Sequence, residues 1–168
     1  MPLDFVTPNP LFNLEGTDLD FNVRYEPTRM EGKKYVIRET DDSVLGIVGS
    51  KFKAASHIDF FNGIKEVIQE NRLPHELEDA KIKISTARDS AFVLIDIILP
   101  NVKHTIVTNK HQTTINERMI ALHGIDGLCS NQVYFGAIDR YCSNGQIGGE
   151  FESIKRKNTI GAYFLRCR

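Results

Sequence analysis

The residues best suited to chemistry crowd into one stretch, Asn116 to Gly149. It holds Cys129 and Cys142, two of the chain's three cysteines, together with His123, Asp126, Asp139 and the tetrapeptide Cys142-Ser143-Asn144-Gly145. A structural zinc site pairs cysteines closely and repeats the pair further on. Here the cysteines stand thirteen apart and unpaired, so no metal is expected and both read as small apolar fillers or turn residues. Cys142, His123 and Asp139 can be drawn as nucleophile, base and orienting acid, but spacing alone does not make them converge. A nucleophilic thiol also needs a neighbouring cation or a helix N-terminus to lower its pKa. Arg140 shares a strand face with Cys142, while Asp139 points the other way. A structural thiol is the favoured reading and no catalytic residue is assigned; an enzyme with Cys142 as nucleophile, assisted by His123, is the alternative. Ser143-Asn144-Gly145 and Gly148-Gly149 could offer backbone N–H groups to a phosphate. No P-loop lysine follows, however, and no dinucleotide-binding glycine pattern opens a helix, so no cofactor is expected.

Polyanion binding fits the residue types better. From Phe151 to Arg168 the chain has five basic residues, Lys155, Arg156, Lys157, Arg166 and Arg168, against one acid, Glu152. Tyr134, Phe135, Arg140 and Tyr141 lie just upstream. Single-stranded nucleic acid needs cations for its phosphates and flat rings for its bases. The expected contacts are Arg140, Asn144, Lys155, Arg156 and Lys157, with Tyr134 and Tyr141 stacking where exposed. In a strand over Gln132–Tyr141, alternation puts Tyr134, Gly136, Ile138 and Arg140 on one face and Val133, Phe135, Ala137, Asp139 and Tyr141 on the other. The competing reading buries the rings in the core and leaves the cations as a solvated sheet edge that discourages aggregation.

Elements able to position these groups are legible upstream. The chain has 168 residues, 41% hydrophobic and 26% charged, with a formal net charge of −1. That suits one domain with a packed core and no global field toward nucleic acid or membrane. Residues 1–30, with little periodicity, read as an extended N-terminal arm, with Leu11, Phe12 and Leu14 docking on the body or on a neighbouring subunit, or equally as a frayed terminus. Residues 31–168 read as a single α+β domain. An odd cysteine count without paired spacing fits a reducing cytoplasm. The N-terminus lacks the basic and apolar regions of a signal peptide.

Lys34–Glu39 and Val44–Gly49 flank a short polar turn and predict a hairpin. Ser56 with Asp59 three residues on resembles a capping box. Ile58, Phe61, Ile64, Val67 and Ile68 then recur at helical spacing, and Leu73-Pro74 ends the helix. Ala80–Thr86 alternates as a half-buried strand, and Ala91–Leu99 is apolar enough for a central one, broken by Pro100-Asn101. Lys103–Asn109 is β-prone and expected to pair with the preceding run, and Lys110–Ile115 reads as a loop. Arg118–His123 and Gln132–Cys142 are two more strands. Gly136 suggests a bulge or close backbone approach, and Gly145, Gly148 and Gly149 read as a turn. The fold class is therefore α+β: a largely antiparallel sheet with one principal helix packed on it.

Leu122-His123-Gly124-Ile125-Asp126-Gly127, then a β-run, then Arg140-Tyr141-Cys142-Ser143-Asn144-Gly145 resembles the phage/plasmid-like protein family, a broad domain family of unknown function. Val44–Lys53 followed by the Ser56 helix resembles that family's first strand and helix, and Lys155–Thr159 its basic segment. The resemblance spans about Tyr35 to Thr159. Two features depart from it: Gly124 and Ile125 separate His123 from Asp126, and Arg140 stands one residue nearer Cys142 than in the commoner arrangement. Members are usually longer, so a short or truncated form is implied. The resemblance implies a phage or mobile-element origin, hence the host cytoplasm and a setting in DNA replication or recombination. Architecture adds an analogy with single-strand annealing proteins, which would act as homo-oligomers on single-stranded nucleic acid. A structural or host-interaction protein assembling through the N-terminal arm is a further alternative.

Overall fold

A computed structural model describes residues 13–107, 112–140 and 147–156. Its strands form two antiparallel sheets. Val23–Pro27 (β1), Lys33–Arg38 (β2) and Val44–Gly49 (β3) make a three-stranded sheet in that order. Lys81–Ala87 (β4), Phe92–Val107 (β5), Gln112–Gly124 (β6), Asn131–Arg140 (β7) and Ile147–Arg156 (β8) make a five-stranded meander, each strand beside the next in sequence. One α-helix, His57–Asn71 (α1), links the sheets, and a short 3₁₀ turn, Pro74–Glu76, follows it. The α+β class expected from the sequence is thus present, with the single sheet divided in two.

Local chemistry explains α1. The Ser56 hydroxyl accepts from the Asp59 backbone N–H at 3.0 Å, satisfying one of the unpaired donors of the first turn. The helix buries His57, Phe60, Phe61, Ile64, Val67 and Ile68. Leu73, held extended before Pro74 with ψ 149°, lies just beyond the C-cap Arg72. The apolar stripe packs on alternate residues of the large sheet: Ile82 and Ile84, then Val93, Ile95, Ile97 and Leu99, then Met119 and Ala121. Burying each Ile or Phe contributes roughly 1.5–3 kcal/mol.

Of the N-terminal arm, residues 1–12, with Leu11 and Phe12, lie outside the described residues, whereas Leu14 docks on the body, one of the two placements expected of it. Leu14 and Leu19 are buried in the main core and β1 pairs with β2 from Val23↔Arg38 to Pro27↔Lys34. Pro100-Asn101 does not end β5. The strand continues across a register shift between Leu99 and Lys103, because the extra residues bulge out. Asn101 donates from that bulge to the carbonyls of His75 and Glu78 at 3.1 and 3.0 Å, tying it to the 3₁₀ turn. Lys103–Val107 therefore pairs with Gln112–Asn116 rather than with the run before it, and Gln112–Ile115, expected as loop, is strand. Gly148 and Gly149 lie in β8. At Gly136, φ is 141°, and the pairing of β6 with β7 stops there, at Arg118↔Gly136.

Candidate nucleic-acid interface

In an antiparallel ladder, directly opposed residues share a face and alternation carries each face across the sheet. One face is the core face beneath α1. The other runs through Lys81, Lys83 and Ser85 of β4, Leu94, Asp96 and Ile98 of β5, Arg118, Ile120 and Leu122 of β6, and Gln132, Tyr134 and Gly136 of β7. Position 140 of β7 continues that alternation, and position 155 of β8 is opposite Gln132. Beyond the bulge, Lys103 opposite Asn116 and Thr105 opposite Thr114 fall in the same class.

The register sorts charge. Lys81, Lys83, Lys103, Arg118, Arg140 and Lys155 take positions on the face away from α1, against one carboxylate, Asp96. The core-face class holds the acids Glu117, Asp139, Glu150 and Glu152, with Arg156. Among the described strands, cationic positions thus gather in one register class. The described elements packing on the sheet through the main core, α1 and the segment around Leu14 and Leu19, do so from the opposite side. On the cationic face Ile120 and Asp96 are buried, Arg118, Leu122, Gln132 and Tyr134 are half-buried, and Lys81 and Lys83 are exposed. The Tyr134 hydroxyl bonds the Gln132 side-chain oxygen, which fixes the ring along the sheet. Arg118 Nε donates to Asp96 Oδ1 at 2.8 Å, and Lys83 is directly opposite Asp96 in the ladder.

The residues expected from sequence divide accordingly. Tyr134, Arg140 and Lys155 share one alternation class, and Arg156, opposite Asn131, belongs to the other. Tyr141, Asn144 and Lys157 lie outside the described residues, as does Cys142. Lys81, Lys83, Lys103 and Arg118 were not singled out. The alternation of Lys81-Ile82-Lys83-Ile84 already put both lysines on the polar side of their strand, but only the pairing across β5 and β6 brings that side level with Tyr134.

His123 has no free nitrogen for a nucleophile. The ring is stacked on Phe60 with centroids 4.4 Å apart, and its nitrogens lie 2.8 Å from the Asn131 amide and 3.2 Å from the Ala55 carbonyl. Burial pushes its pKa down. Nδ1 faces the Asn131 Oδ1 and Nε2 the Ala55 carbonyl, both acceptors, so a neutral ring donates its one N–H to one of them. His57 crosses it edge-on at 5.0 Å and donates from Nε2 to the Ser90 carbonyl at 2.7 Å. The His57 Nδ1 is buried with no hydrogen-bond partner, and burial followed by the nearby His123 pushes its pKa down to about 3. Both rings are therefore neutral structural groups in the seam between the two sheets.

That seam also carries backbone strain. Arg88, Asp89 and Ser90 all have positive φ, at 53°, 51° and 62°, and each costs free energy in a residue with a Cβ. Ser90 is held by His57, Asp89 by the Arg38 guanidinium, and Arg88 by an ion pair from its Nε to Asp126 Oδ2 at 2.5 Å. Asp126 is buried and also accepts from the Leu128 N–H at 3.0 Å. Cys129, half-buried beside Arg88 and Asp126, has its thiol pKa pushed up chiefly by burial, the opposite of what a nucleophile needs. Among the described residues no group of His, Cys, Asp and Glu is arranged to hold a metal ion, and no helix is long and apolar enough to cross a membrane.

Searches of protein-family models, of characterised proteins and of solved structures return no match.

Proposed function

We propose that this protein binds single-stranded nucleic acid without catalysing a reaction, through the face of the five-stranded sheet turned away from α1. The observation that carries the reading is the segregation of charge by strand register. Six cationic positions, Lys81, Lys83, Lys103, Arg118, Arg140 and Lys155, share a face with one carboxylate, Asp96. Sheet strands stand about 4.8 Å apart, so cations on successive strands can follow a flexible phosphate backbone. Tyr134, half-buried among them, supplies a ring face, as sheet-borne aromatics do for unstacked bases.

The phage-like setting in replication or recombination rests on the resemblance carried by Leu122–Gly127 and Arg140–Gly145, and the annealing-type role on an analogy of architecture alone. Self-association is supported by β3. It is an edge strand with neither charge nor proline, and its Val44 and Ile47 are exposed, whereas the other described edges carry Arg24, Glu26 and Pro27 on β1, Lys81 and Lys83 on β4, and Glu150, Glu152, Lys155 and Arg156 on β8. Uncharged aliphatic edges pair readily with a further strand.

The test is a fluorescence-anisotropy titration of a labelled oligothymidylate across salt concentrations. Displacing counterions from a single strand gives a slope of about −0.7 per phosphate neutralised, so four to six cations predict a log–log slope of roughly −3 to −4. Absence of binding at low salt, or binding indifferent to salt, refutes the reading.

A further inference from the structure

We propose that the bound strand does not stop at the sheet but continues onto the two-stranded ribbon made by the outer halves of β5 and β6; this rests on the nucleic-acid reading above. The ribbon begins where the bulge after Leu99 shifts the register. From there Lys103 to Val107 pair with Asn116 to Gln112, while β4 pairing ends at Ile98 and β7 pairing at Arg118. The ribbon therefore leaves the body flanked by no described strand. Beyond Gly136, β7 goes on pairing with β8 from Ala137↔Glu150 to Arg140↔Ile147. The sheet splits at one end into two ribbons, and among the described residues the backbone groups of β6 that β7 would have bonded have no strand partner there.

The two faces of the β5–β6 ribbon differ. On the side continuous with the cationic face stand Lys103, Thr105, Gln112, Thr114 and Asn116, all exposed, with exposed Val107 opposite Gln112 toward the far end. On the other side His104 and Ile115 are half-buried, and His104 Nε2 lies 2.9 Å from the buried Glu117 carboxylate. A structural extension of the core would need no such row of hydroxyls and amides. Those groups, with one lysine, are the side chains that bond phosphate and sugar oxygens and unpaired base edges. The β5–β6 ladder runs about 26 Å along the sheet and about 16 Å more along the ribbon at ~3.3 Å per residue, so the ribbon supplies roughly two-fifths of the path.

The experiment measures site size. The full chain is titrated with single-stranded oligothymidylates of increasing length, and the length at which affinity stops rising is recorded. Combining Thr105→Glu, Gln112→Glu and Thr114→Glu, none of them among the six cationic positions, should shorten that length by about two-fifths and leave affinity for the shortest bound oligonucleotides within about twofold. An unchanged plateau length overturns the inference while leaving the sheet-face reading intact. No binding by the unaltered protein overturns both. Tighter binding of a duplex of equal length, as for a ribbon seated in a major groove, also overturns it. Should the triple variant not fold, Thr105→Ala with Thr114→Ala should shorten the plateau length in the same direction, and an unchanged length counts against the proposal.

Discussion

The two buried histidines make stability fall in acid, and His57 allows the size to be worked out. Its Nε2–H is committed to Ser90, its Nδ1 is unpartnered, and its pKa is pushed down from 6.5 to about 3 by burial first and then by the facing His123. The charged Arg38 also disfavours a proton on the ring, and Asp126 favours one. In the unfolded chain the ring binds a proton below about pH 6.5; in the folded chain it does not until about pH 3. The unfolded state therefore gains protons first. Stability from this group is complete above pH 6.5 and is lost as pH falls toward 3, by up to about 1.4 kcal/mol per pH unit. Between pH 8 and pH 5 the loss from His57 alone is about 2 kcal/mol. His123 acts in the same direction, since burial lowers its pKa too. The assay is urea unfolding followed by circular dichroism at several pH values. His57→Phe keeps the contact with Phe21, now 5.5 Å from the His57 ring, and removes the titrating nitrogen. It should start less stable at pH 8 by about 1 kcal/mol for the lost bond to Ser90, yet lose about 2 kcal/mol less than the unaltered protein on acidification to pH 5. A variant with the same acid loss as its parent would refute the assignment of His57 as a buried neutral ring.

Three further outcomes follow from close contacts and caps. A Cβ at Gly124 would collide with the Cys129 sulfur, whereas one at Gly46 would lie 2.8 Å from the Asp126 backbone oxygen. Gly124→Ala should cost about 1–3 kcal/mol and be largely rescued in a Cys129→Ala background, while Gly46→Ala, facing backbone, should show no such rescue in urea midpoints. Ser56→Ala removes the acceptor for the Asp59 N–H and should destabilise by about 1 kcal/mol in thermal melts. Asp96→Asn, by taking away the one carboxylate of the cationic face and releasing Arg118, should tighten oligonucleotide binding and steepen its salt slope even as it lowers the melting temperature; weaker binding would argue against that face.

How far the fold could be read from sequence depended on the range of the forces involved. The α1 boundaries follow from Ser56, Asp59 and Pro74, all within a turn of the residues they control, and the β2–β3 hairpin from a four-residue turn between β-rich runs. Pro100-Asn101 misled because a proline signals only that its own N–H cannot enter a ladder. Whether the strand stops or bulges past it was decided by Asn101 finding the carbonyls of His75 and Glu78, more than twenty residues away in sequence. The strand Val23–Pro27 was hidden for a similar reason: a short edge strand carrying Arg24, Glu26 and Pro27 has little local pattern, and its partner β2 defines it.

The site divides the same way. Alternation along single strands determined, with no structure, that Tyr134 and Arg140 share a side and that Lys81 and Lys83 do. That follows from the two-residue repeat of the extended backbone. Only the tertiary ladder decided that these sides are the same one, because face identity passes between strands through register, and a slip of one residue would have turned Lys83 and Arg118 under α1. It likewise assigned Arg156 to the opposite class and drew His123, which the sequence offered as a base, into the core with both nitrogens engaged. Side-chain type set what chemistry was available; pairing partners far along the chain set which of it faces outward.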